Sequence, residues 1–137
     1  LHHELVGLFE KVSEFLVATD ASGAIVGAGA LHVMWEDLGE VRSVVVSQDH
    51  RGKGIGHAIV EALLHHAREM GLARVFCLTF EVEFFAKHGF AEISDVPVDE
   101  ATYNELIRST DEGTAEFLDL ARVKENTLGN TRMLRLL

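Results

Sequence analysis

Three consecutive valines, Val44 to Val46, run through Ser47-Gln48-Asp49-His50 into Arg51-Gly52-Lys53-Gly54-Ile55-Gly56, where glycine takes every second place. A β-branched run, then glycines, then an amphipathic segment predicts strand, loop and helix in that order. Past the loop, Ile55, Ala58, Ile59, Ala62, Leu63, Ala67 and Met70 keep the i, i+3, i+4, i+7 spacing of a helix, and Gly71 is placed to end it. Glycine at such a junction lets a backbone come close to a ligand, and the free amides of the helix start attract anions such as a diphosphate. Arg51 and Lys53 put cations there, in a chain whose 12 Lys and Arg face 22 Asp and Glu for a net charge of -10. Two better-known phosphate loops do not fit, because neither Gly-x-x-x-x-Gly-Lys-Ser/Thr nor Gly-x-Gly-x-x-Gly occurs.

The rest of the chain extends this unit. Leu5, Leu8, Phe9 and Val12 recur at helical spacing. Phe15-Leu16-Val17-Ala18 predicts a strand, Asp20-Ala21-Ser22-Gly23 its turn, and Ala24 to Val33 the return strand, where Gly27 and Gly29 point to close backbone approach. Glu40 to Val46 is the next strand, and its valines are expected to be buried. Beyond the helix, Arg74 to Phe80 reads as a strand, Val82 to His88 as a short helix and Phe90 to Ile93 as a strand. Ala101 to Ser109 and Thr114 to Ala121 read as helices, and Thr131 to Leu137 as a closing edge strand. The alternation predicts an α/β fold, with a mixed sheet that contains at least one parallel crossover.

With 137 residues and no linker, the chain is one domain's worth, residues 1–137. The negative charge opposes nucleic-acid phosphates and anionic lipid, and no run approaches the ~20 apolar residues of a membrane span. Cys77, the single cysteine, cannot form an internal disulfide, so a reducing, cytoplasmic setting is expected. Eight histidines suggest metal binding, but His2-His3 and His65-His66 are adjacent pairs that diverge on a helix, and no metal is expected.

Arg51-Gly52-Lys53-Gly54-Ile55-Gly56 resembles the Arg/Gln-x-x-Gly-x-Gly/Ala signature of the GNAT superfamily of N-acetyltransferases, and Phe84-Phe85-Ala86-Lys87-His88-Gly89-Phe90 resembles its second cofactor segment. Trp35-Glu36-Asp37-Leu38, the run from Leu78 to Phe85 and the tail from Asn126 to Leu134 are similar to short, single-domain amino-acid N-acetyltransferases of the N-acetylglutamate synthase type. The resemblance implies the GNAT acyl-CoA N-acyltransferase fold, a mixed central sheet flanked by helices. That fold normally opens with a strand and helix ahead of the segment that begins here at Leu1.

The same resemblance implies acetyl-CoA as acyl donor. Its acyl arm would lie along Val44, Val45 and Val46 like an added strand, and its diphosphate would meet Arg51, Gly52, Lys53, Gly54, Ile55 and Gly56. His57 would touch a phosphate, while Thr79, Val82 and Phe85 would supply the opposite wall. The Val46 N–H would polarise the thioester carbonyl. Glu40, eleven positions before Arg51, has the spacing of a catalytic glutamate that takes the amine proton, or else is an exposed carboxylate at a strand end. A tyrosine that acts as general acid in relatives is replaced by Phe85, and Tyr103 is expected to pack on the sheet. Cys77 is expected to be a buried strand residue without a catalytic role.

An anionic acceptor in an acidic protein needs a cation, and arginine captures carboxylates through paired bonds. Arg42, on the same strand face as Glu40, and Arg132 fit that role, with surface salt bridges as the alternative. Asn130 and Thr131 could assist, and Trp35 and Phe80 could line the acceptor cleft or belong to the core. The acidic clusters from Asp95 to Glu105 and Asp111 to Glu116 read as solvated helix faces. The expected reaction is acetylation of the α-amine of an amino acid, glutamate or glutamine, as the first step of arginine synthesis. Another small amine, a protein N-terminus, or a non-catalytic acyl-CoA-binding module remain alternatives, and an exposed edge strand leaves room for a homodimer.

Overall fold

The computed structural model describes residues 11–118 and 130–137. The helical spacing of Leu5, Leu8 and Phe9, the last residues of the helix expected to reach Ala121, and Asn126 to Gly129 lie outside the described residues. A 3-10 turn at Val12–Glu14 leads into β1 (Phe15–Thr19), β2 (Ile25–Trp35) and β3 (Leu38–Val46), an antiparallel meander. Then come α1 (Ile55–Glu69), β4 (Arg74–Thr79), α2 (Val82–Ala86), β5 (Ala91–Glu92), α3 (Glu100–Leu106), α4 (Glu112–Phe117) and β6 (Thr131–Leu136). The sheet order is β1-β2-β3-β4-β6-β5, with β3 and β4 parallel across the α1 crossover. The strand at the C-terminus is therefore not an edge as its position in the chain suggested: β6 lies between β4 and β5.

Period-two alternation divides β4 between two cores. Val75 and Cys77 face α1, which buries Ile59, Val60, Leu63, Leu64 and Ala67 against the sheet, each large apolar side chain contributing about 1.5–3 kcal/mol. Phe76 and Leu78 face the other way, toward Leu106 and Phe117 of α3 and α4. Trp35 and Tyr103 pack in this second core. Gly27 and Gly29 allow α1 to sit close: a Cβ on either would come within 2.8 and 2.7 Å of Ile59. Gly71 ends α1 in the left-handed conformation at φ 84°, and Leu72 N–H donates to the Ala67 carbonyl beneath it.

The feature that shapes the site is in β3. Gly27 and Ala28 pair with Val46 and Val45, but Ala30 pairs with Arg42, so Gly29 faces two residues, Ser43 and Val44. This is a β-bulge, with Ser43 at φ 58°. The extra residue reverses the side-chain alternation, so that Val41 before it and Val44 and Val46 after it all pack toward α1. Parallel pairing of β3 with β4 stops at Glu40 and Phe76, and beyond that point the two strands carry no register pairs. The valine run is consequently not the buried segment expected from its composition. Val44 and Val46 are half-buried and Val45 is 60% exposed, since beyond Glu40 the strand pairs with β2 alone among the described residues.

Candidate active site

Where β3 and β4 part, a cleft of about 590 Å³ opens. Val44, Val45 and Val46 form one wall, and Leu78, Thr79 and Phe80 at the end of β4 form the other. Arg51 and Gly56 close one end together with Phe84 and Phe85, and Arg42 and Asn130 also face the cleft. Phe80, 70% exposed, belongs to this wall and not to the core, whereas Trp35 is a core residue and does not line the cleft. Thr79 is buried, and its hydroxyl accepts the Glu81 N–H at 2.7 Å, fixing the turn into α2. Val82 and Phe85 pack into the α1 core, and Phe85 sits edge-on to both Phe84 and Phe90.

The glycine loop has the form that an anion site requires. Gly52 and Gly54 take φ 79° and 81°, with open space where a Cβ would stand, so the loop's outer side is unobstructed. Gly54 caps α1 without a side-chain bond, and the first intrahelical bond runs from Ala58 N–H to the Gly54 carbonyl. The amides of Ile55, Gly56 and His57 thus have no partner within the helix and carry its positive pole. Arg51 is exposed, and its Nε reaches the Val46 carbonyl at 3.4 Å; Lys53 is exposed beside it. A free strand edge, an open glycine loop and a helix start in one line suit a long thioester that ends in a diphosphate.

Glu40 is not at an exposed strand end. It is 5% exposed, and its Oε1 receives the Nε and Nη2 of Arg42 at 3.1 and 2.8 Å. Burial pushes its carboxyl up to about 7, against the pull of Arg42. Arg42 is likewise no surface salt bridge: its Nη1 and Nη2 also grip Asp111 at 3.0 and 2.8 Å in a forked pair. Burial opposes ionisation of Asp111, but the bonds and charge of Arg42, joined by the Thr114 N–H, hold its carboxyl far below the usual range. Asp111 also caps α4 and meets Lys11 at 3.4 Å and His32 at 3.8 Å. The acidic cluster from Asp111 to Glu116 is thus not a solvated face, since Asp111 and Glu116 are turned inward. Gly113 lies directly on Glu40, so close that a Cβ there would come within 2.0 Å of Oε1.

Arg132 does not line the cleft. Its guanidinium donates to the carbonyls of Glu116 and Asp95, both at 3.0 Å, and to that of Phe117, and so ties α4 to β6. Thr131 is a strand residue paired with Thr79. Cys77 is buried, and burial drives its thiol upward, away from a reactive thiolate. His57 is turned to α2, with its ring 4.5 Å from that of Phe84 and its Nδ1 2.7 Å from His88 Nε2. Three site features were missed in the sequence: the Ser43 bulge, Asp111, and the contact of His88 with His57 and Glu61. None of the three has a local signal, because each depends on a partner distant in the chain. No group of three or more His, Cys, Asp or Glu among the described residues could hold a metal ion.

A bulged central strand that splays from its parallel neighbour over a glycine loop and helix start fits the acyl-CoA site that the GNAT resemblance implies. The chain belongs to the acetyltransferase (GNAT) family, which residues 2–90 match. It is 57% identical over 139 residues to an amino-acid acetyltransferase of Mycobacterium tuberculosis, covering 100% of this chain and 80% of that protein. A crystal structure of a Mycobacterium tuberculosis protein in complex with CoA and NLQ superimposes with a TM-score of 0.95 at 57% identity, over 100% of this chain and 84% of the other. The N-acetylglutamate synthase of Neisseria gonorrhoeae, complexed with coenzyme A and N-acetyl-glutamate, shares the fold at a TM-score of 0.76 and 24% identity, with this chain spanning 28% of it.

Proposed function

We propose that this chain acetylates the α-amine of an amino acid, L-glutamate or L-glutamine, by direct transfer from acetyl-CoA, and that it serves the first step of arginine synthesis. The observation that carries the reading is the buried Glu40–Arg42 pair beside the cleft, a proton acceptor and a carboxylate receptor on one strand face. The amine nitrogen must lose a proton as it forms the new amide bond and the thiolate departs; Glu40, with its carboxyl at about 7, accepts that proton near neutral pH. Val46 offers a backbone N–H to the thioester carbonyl, and Arg42 offers charge to the acceptor's carboxylate. Gly113 lies over Glu40, so the reading requires that the start of α4 be displaced to open a route from Glu40 to the cleft. The Mycobacterium tuberculosis relative, an amino-acid acetyltransferase, supports the amino-acid acceptor, and the resemblance of Asn126 to Leu134 to the N-acetylglutamate synthase type supports glutamate or its amide.

The test is a panel of amines assayed for CoA release. Glutamate or glutamine should be turned over at least about tenfold faster than other amines and peptide N-termini. A flat profile removes the acceptor assignment, and no turnover at all with retained CoA binding marks a binding module instead. The single buried cysteine supports a reducing, cytoplasmic setting, and the place of β1 as the outermost strand among the described residues, with Val17 exposed, supports a homodimer of this single domain.

A further inference from the structure

A single turn of the chain closes both members of the Glu40–Arg42 pair. Asp111, the cap of α4, takes the Arg42 guanidinium in a fork, Nη1 to Oδ1 at 3.0 Å and Nη2 to Oδ2 at 2.8 Å, while Nε and Nη2 also donate to Glu40. All three nitrogens of Arg42 are thereby engaged. Two residues further on, Gly113 lies over the Glu40 carboxyl. Arg42 lines the cleft, and neither Glu40 nor Asp111 does.

The fork has the geometry of a bound carboxylate. Two parallel N–H···O bonds from one planar guanidinium are how arginine holds a carboxylate ligand, and an amino acid that presents its carboxylate to Arg42 needs the same two donors. Asp111 and the acceptor therefore compete for one position. The exchange conserves charge, because one carboxylate leaves Arg42 as another arrives. The guanidinium, on a side chain only 14% exposed, is then not left with a buried charge half paired. A displaced Asp111 keeps a cation at hand, since Lys11 Nζ already stands 3.4 Å from its Oδ1. The packing of α4 confines the movement to its start. Phe117 anchors the far end of the helix in the second core, whereas Ile107, Arg108 and Thr110 ahead of it are exposed, so the first turn can lift about its anchored end.

We propose that Asp111 is a built-in competitor for the acceptor's α-carboxylate, which must displace it from Arg42, lifting the first turn of α4 and uncovering Glu40 in the same movement. The inference rests on Glu40 and Arg42 forming the acceptor site proposed above. The α-carboxylate is the one that glutamate and glutamine share. Because only the fraction of molecules with α4 lifted can bind, the apparent affinity for the acceptor is lowered by that fraction.

Steady-state kinetics on Asp111→Asn and Asp111→Ser test this, with acetyl-CoA and whichever of glutamate and glutamine is the better substrate. Both replacements still cap a helix, but neither brings a carboxylate to Arg42. The KM for the amino acid should fall on the order of tenfold in each variant, and the inhibition constant of its N-acetyl product, which carries the same carboxylate, should fall in parallel. The KM for acetyl-CoA should not move with them. A residue that only holds Arg42 in place predicts the opposite, so an amino-acid KM that rises or stays constant overturns the proposal. A crystal of the wild type with CoA and the amino acid gives a second measurement, independent of whether the variants fold. Arg42 should hold the ligand's carboxylate, with Asp111 beyond hydrogen-bond reach, and an intact Arg42–Asp111 fork beside the bound amino acid also overturns the proposal. Wild-type turnover of neither glutamate nor glutamine would instead remove the acceptor reading, and this inference with it.

Discussion

At the scale of single residues, the burial of Glu40 sets the pH behaviour. A base must be deprotonated to work, and a carboxyl held at about 7 gains that form only as pH rises through neutrality. The kcat/KM for the amino acid should therefore climb with pH around 7 and level off above it. Glu40→Gln should cost on the order of 10²–10⁴-fold in kcat and abolish that limb, with affinity for CoA unchanged; a pH–rate series on both proteins checks this. Ser43 carries strain of a different kind, since φ 58° disfavours any β-branched side chain. Ser43→Val should cost about 1–2 kcal/mol by denaturant titration and raise the KM for acetyl-CoA. The placing of Glu40 and Arg42 on one face was legible, because two residues along a strand return to the same side. Their third partner was not: Asp111 lies 69 positions from Arg42, and its helix-cap signature gives no hint that the same carboxylate also closes a salt bridge.

Among the elements, α4 matters most for access. Gly113 is where its first turn rests on Glu40, and a methyl group there cannot fit without movement. Gly113→Ala should push α4 outward, break the Arg42–Asp111 fork and lower stability by about 2–4 kcal/mol, measurable as a drop in Tm. If the displaced α4 also exposes the carboxylate, kcat at low pH should be the parameter that changes most. The strand, loop and helix through residues 38–69 were readable because valines, alternating glycines and a 3.6-residue period each speak locally. The bulge was not, since it exists only relative to β2, and the valines' exposure follows from the register lost after Glu40. Likewise β6 is inserted between β4 and β5 by pairing choices that neither strand's own composition encodes.

For the molecule as a whole, the family and the position of the cleft could be read in advance, while the second core under α3 and α4 and the wiring of its charges could not. That core is assembled by residues far apart in the chain, Met34 and Leu38 against Leu106 and Phe117. The sheet itself has a weak seam. Only three register pairs, Leu38 to Glu40 against Arg74 to Phe76, stitch β3 to β4, and the cleft occupies the remainder of that boundary. A bound thioester would act as mortar in the gap, touching both masonry courses at once. Saturation at ~100 times Kd should then add about 2.7 kcal/mol to unfolding. Amide exchange at Val44 and Val46 should slow in step with the Tm, so that the substrate doubles as the missing rung of the scaffold that holds it.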